Sequence, residues 1–124
     1  MNAESLIQAV TDRFPQAVVA SHAYRGDATI VLQRESLVEV ARTIKEDSAF
    51  QMNLLVDLTA VDYSAFGKKP APAFFVPSGV AVRPKTEIPD SDPWPGPPSP
   101  ARFAVVYHFY SIALKHRLRL SVPV

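Results

Sequence analysis

The sequence predicts an α+β fold: an antiparallel or mixed sheet, two helices packed on one face, and a long proline-rich loop. Three observations carry this. Two runs within the first 47 residues place apolar side chains at helical spacing. Five stretches rich in β-branched and aromatic residues read as strands. Ten of the twelve prolines fall between Ser64 and Arg102, outside all of these. A chain of 124 residues with 48% hydrophobic and 20% charged residues is one ordinary globular domain, 1–124, with 64–102 as a proline-rich insertion.

The elements follow in order. Asn2 caps a first helix, with Glu4 favouring its dipole, and Leu6, Ile7, Val10 and Phe14 form its stripe until Pro15 stops it. Val18 to Tyr24 and Ala28 to Gln33 are two strands around Arg25-Gly26-Asp27, where Gly26 supplies a positive φ. Arg-Gly-Asp is also an integrin ligand in secreted proteins. The N-terminus lacks the basic region of a signal peptide, so the turn is the better reading. Glu35 to Asp47 is a second helix, with Leu37, Val40, Ala41 and Ile44 inward and Glu39, Arg42, Lys45 and Glu46 outward. Asn53 to Tyr63 is a strand whose core face is expected to be Leu54, Val56, Leu58 and Ala60.

Within the insertion, Ala73 to Val76 and Val80 to Arg83 flank Pro77-Ser78-Gly79 as a small hairpin. Pro84 to Pro100 blocks both helix and central strand and reads as an extended arm. Trp94, between two prolines, needs an apolar surface on this chain or on a partner. Phe103 to Ile112 is apolar on both faces, as expected of a central strand. Arg117 to Val122 alternates, with Leu118, Leu120 and Val122 opposite Arg117, Arg119 and Ser121, and reads as an outer strand with a basic face. The short break between them predicts an antiparallel hairpin.

Several chemistries find no support. The absence of cysteine removes disulfides, thiol nucleophiles and cysteine-ligated clusters on this chain. Gly26, Gly67, Gly79 and Gly96 form no nucleotide-binding loop, and no apolar run reaches the roughly 20 residues needed to span a bilayer. His22, His108 and His116 are scattered without metal-ligand spacing. His108 could act as a base with Asp57 or Asp62, but it carries no nucleophile motif; a structural histidine hydrogen-bonded within the sheet is the simpler reading. Ser111 lies in no nucleophile elbow. Lys115, His116, Arg117 and Arg119 form a basic patch near aromatics. With net charge +1 and no RNA-binding motif, it reads as a solvated face or a contact to an acidic partner, and nucleic acid is not expected. Residues 1–63 carry nine acids and five bases, and 64–124 three acids and eight bases, so complementary faces are expected. Asp57 and Asp62 are candidates to pair with Arg117 or Arg119 if their strands are neighbours.

VVYHFYS at 105–111, then HRLRLSVPV at 116–124, resembles the C subunit of bacterial NADH-quinone oxidoreductase, respiratory complex I. LLVDLTAVDY at 54–63 is similar to the same family's other characteristic strand. The resemblance carries over Asp57, Leu58, Thr59, Val61, Asp62 and Tyr63 in one strand and Tyr107, His108, Tyr110, Ser111, Arg117, Leu118 and Arg119 in the other, as fold and interface positions with no catalytic role. It implies a structural member of the peripheral arm, on the cytoplasmic side of the bacterial inner membrane, beside subunits B and D. FMN, iron–sulfur clusters, NADH and quinone would be bound by partner subunits, and this chain would hold no cofactor or metal. Related hydrogenase-type complexes share subunits of this type. The family's linker between the two motifs looks shorter than here, and its later region with an E-R-E motif is absent from these 124 residues. A different class stays open: a stand-alone interaction module working through the proline-rich arm and Trp94.

Overall fold

A computed structural model describes residues 1–65, 74–75, 81–82 and 101–124. Helix α1 (Ala3–Arg13) begins where Asn2 Oδ1 accepts the Ser5 N–H at 2.8 Å, and it buries Leu6 and Val10. Strands β1 (Val18–Tyr24) and β2 (Asp27–Leu32) form an antiparallel hairpin. Its two turn residues have φ of 50° at Arg25 and 83° at Gly26, the positive pair of a type I′ turn that matches strand twist. A 3₁₀ turn, Arg34–Ser36, leads into α2 (Leu37–Glu46), which buries Val40 and Ile44 completely. The C-terminal ends of the helices are tied together where Arg13 donates to Asp47 at 2.6 Å, and the segment after α2 folds back on it, Met52 N–H donating to the Ile44 carbonyl at 2.8 Å.

Strand β3 (Leu54–Asp62) follows. The small hairpin expected in the insertion is present as β4 (Phe74–Phe75) paired antiparallel with β5 (Ala81–Val82). The rest of the proline-rich segment, with Pro84 to Pro100 and Trp94, lies outside the described residues. Strands β6 (Phe103–Tyr110) and β7 (Arg117–Pro123) form the predicted antiparallel hairpin.

The sheet is mixed, in the order β1-β2-β7-β6-β3, with β2 and β7 parallel and every other pair antiparallel. Both helices contribute to one core, where Leu6, Val10, Val40 and Ile44 meet Ile30, Leu32, Leu118, Leu120 and Val122. Each such side chain contributes roughly 1.5–3 kcal/mol by leaving water. Val31, Ala104 and Val106 are buried as well, but they point to the opposite face of the sheet, with Thr29 and Ser121 among them.

Two expectations are corrected here. β7 is the middle strand of the sheet, not an outer one. Its alternation reports that the face opposite the helices tolerates polar groups; it says nothing of position in strand order. β3 is an edge strand, and its presumed core face is exposed: Leu54 42%, Val56 61% and Leu58 52%. A bulge between Leu55 and Asp57 also breaks the alternation. Leu55 opposes Phe109, and Leu58 opposes Tyr107, so Leu55 joins Leu58 and Ala60 on the helix side while Leu54 turns to the other.

Candidate functional site

The registers place one residue from each strand in a row across the face opposite the helices: His22, Thr29, Arg119, His108 and Asp57. Arg119 is the hub. Partial burial first, and then its guanidinium charge, hold both His22 and His108 below the ordinary histidine value. At His108 Asp57 and Asp27 pull the other way, and Arg117 adds to the lowering. Among the described residues, Arg119 Nε is buried without a hydrogen-bond partner. A shallow hollow of about 230 Å³ lies over the Arg119, His108 and Asp57 part of this row, with Asp27 and Arg117 also on its border.

His108 sits within the sheet as expected, yet it makes no side-chain hydrogen bond among the described residues. It has electrostatic neighbours and no oriented acid. Asp57 is turned to its own backbone, where it accepts the Leu58 N–H at 2.9 Å. Among the described residues no three His, Asp or Glu side chains gather closely enough to hold a metal.

The carboxylates do not pair with Arg117 or Arg119, because β6 separates β3 from β7. Asp62 instead receives Arg102 at two points, Nε to Oδ1 and Nη2 to Oδ2, both at 3.0 Å. Those hydrogen bonds, then the Ser64 N–H, hold its carboxyl well below the usual carboxylate range. Tyr63 N–H donates to the Arg102 carbonyl at 2.7 Å, closing the neck beneath the insertion. Arg117 lies over the Tyr110 ring at 5.7 Å from its centroid. On the helix side, the Tyr107 and Phe109 rings stack with centroids 6.2 Å apart.

His116 does not belong to a solvated basic patch. It is buried, and its Nε2 lies 2.7 Å from the Phe50 carbonyl, which only accepts, so Nε2 carries the proton. Lys115 and Arg117 on either side remain exposed.

A second site was missed by sequence reasoning. Between α2 and the β3–β6 pair runs an apolar groove of about 530 Å³, floored by Leu55, Tyr107 and Phe109 and walled by Val38. Two signals pointed to it: Val38 is apolar on the polar side of α2, and Leu54-Leu55-Val56 is apolar on both faces of an exposed strand. Together, groove and edge form an exposed apolar strip, the mark of an interaction surface. Among the described residues no helix is long and apolar enough to cross a membrane.

Comparison with known proteins agrees on one family. The profile described as "Respiratory-chain NADH dehydrogenase, 30 Kd subunit" matches residues 30–124. The chain is 36% identical over 123 residues to a protein of Coxiella burnetii named as the C subunit of NADH-quinone oxidoreductase, covering 98% of this chain and 52% of that one. The protein of the same name from Acidithiobacillus ferrooxidans is 35% identical over 121 residues, covering 98% and 46%. That of Geotalea uraniireducens is 30% identical over 113 residues, covering 91% and 48%. The chain thus spans about half the length of the curated relatives it matches.

Proposed function

The chain belongs to the family of the 30-kDa subunit of respiratory-chain NADH dehydrogenase, and from that premise we propose that it is a structural, non-catalytic component of the peripheral arm of a proton-translocating NADH:quinone oxidoreductase. Electrons would pass from NADH through FMN and iron–sulfur centres to quinone on other subunits. This chain would hold no cofactor and would sit peripherally, on the cytoplasmic side of the bacterial inner membrane, against subunits D and B.

The observation that carries the reading is the exposed apolar surface of β3 and its groove within a family member. A strand that exposes Leu54, Leu55, Val56 and Leu58 is poorly suited to solvent and well suited to an interface with another protein of the assembly. The stand-alone module is not favoured, since the similarity to the Coxiella burnetii relative runs over 98% of the chain. Trp94, on which that module rests, lies outside the described residues.

The test is affinity purification of the full-length gene product from its native membranes. Recovery of subunits D and B together with NADH:quinone reductase activity is the expected result. Recovery of the chain with neither of them overturns the reading.

A further inference from the structure

Among the described residues the helical layer stops short of β3. A helix is about 10 Å wide, close to two strand spacings of about 4.8 Å, so two helices cover four strands. α1 packs against β1 and β2. α2 buries Val40 and Ile44 in the shared core, and the groove opens along its far side. The fifth strand is left bare on the same face: Leu55 is 47% and Leu58 52% exposed, and Ala60 is exposed too. Val38, on the wall of α2 above them, is 67% exposed. The rim carries two cations, Arg42 and Lys45, against one anion, Glu46.

We infer that a helix from a neighbouring subunit lies in this groove as the third member of the helical layer, its apolar stripe on Leu55, Leu58 and Tyr107 and acidic residues along the edge that faces Arg42 and Lys45. The inference rests on the assembly role proposed above. Strand addition to β3 fits less well, because the bulge at Val56 and the carboxylates of Asp57 and Asp62 are features that discourage it. A second copy of this chain fits less well too, since apposed α2 helices would set Arg42 and Lys45 against their own like charges. A helix-in-groove contact uses the apolar floor and the basic rim together.

The experiment places a photo-activated benzophenone amino acid at Val38, and separately at Val56, in the full-length gene product within its native complex. The expected adduct forms from Val38 to a helical segment of another subunit bearing acidic residues beside an apolar stripe. Val38→Asp combined with Leu58→Asp is expected to lower the amount of chain retained in the complex by about tenfold or more. The melting temperature of the isolated variant should stay near that of wild type, since both positions are exposed. An intact complex that yields adducts only from Val56, only within the same chain, or none from Val38 overturns the inference and leaves the assembly role standing. Unchanged retention of the double variant does the same. A wild-type chain that is never recovered with subunits D and B removes the assembly role, and the inference with it.

Discussion

Asp62 and Arg102, 40 positions apart, meet in a two-point ion pair at 3.0 Å, where β3 ends and β6 is about to begin. The pair is exposed, so its worth lies in geometry more than in energy. It fixes the neck from which the proline-rich segment departs. Because the folded carboxyl is depressed, any stability it brings is fully present above the unfolded value near pH 3.9 and is lost progressively as pH falls from there through the lower folded value. Arg102→Ala is expected to return the Asp62 titration, followed by carboxyl carbon NMR, close to the ordinary aspartate range. An Asp62 that still titrates far below that range would show that Ser64, and not Arg102, sets its acidity.

The His22–Arg119–His108 row predicts a pH dependence. Both histidines are depressed in the fold, so the folded state disfavours their protonation. Stability is expected to be full above the unfolded value of about 6.5 and to fall as pH drops below it. Asp57 and Asp27 oppose the shift at His108, and Arg117 reinforces it. Arg119→Gln should raise both histidine titrations, measured by imidazole proton NMR, and flatten the loss of stability between about pH 7 and 5. Unmoved titrations would mean that burial alone accounts for them.

Edge and centre of the sheet should answer differently to the same truncation. Leu120→Ala, in the middle strand with no exposed surface, is expected to cost about 2–5 kcal/mol by urea denaturation. Leu58→Ala, half exposed on β3, should change the stability of the isolated chain by no more than about 0.5 kcal/mol. Equal losses would place β3 in the core after all.

His116→Ala leaves the buried Phe50 carbonyl without its donor. The expected cost is about 1–3 kcal/mol in denaturant titration, with the Ser111–His116 loop loosened. A loss no larger than that of exposed Lys115→Ala would argue that the histidine only fills space.

Much of the fold was legible in the chain. Helix stripes, the Asn2 cap, the Arg25-Gly26 turn and both long hairpins follow from local chemistry, and the structure repeats them within a residue or two. Strand order was not legible, because a parallel β2–β7 pair leaves no mark in the local pattern of either strand. The β3 error has a physical source: alternation assumes one residue per register step, and the bulge at Val56 inserts an extra one. For the site, the motif positions Asp57, His108 and Arg119 proved to be neighbours in one row, while Asp62 and Arg117 found other partners. His116 read as one more surface cation because its acceptor, Phe50, lies 66 positions away.

The placement of β7 also shapes how the chain reaches this state. Thr29 and Arg119 are register partners although about 90 positions separate them, a long loop to close before the pairing is rewarded. The β1–β2 hairpin and both helices leave the ribosome well ahead of the strand that joins them to β6. Until β7 arrives, Ile30 and Leu32 have a helical roof but an unpaired flank. The half-built sheet is therefore sticky during synthesis, and this family member should depend on early chaperone capture more than its small size suggests.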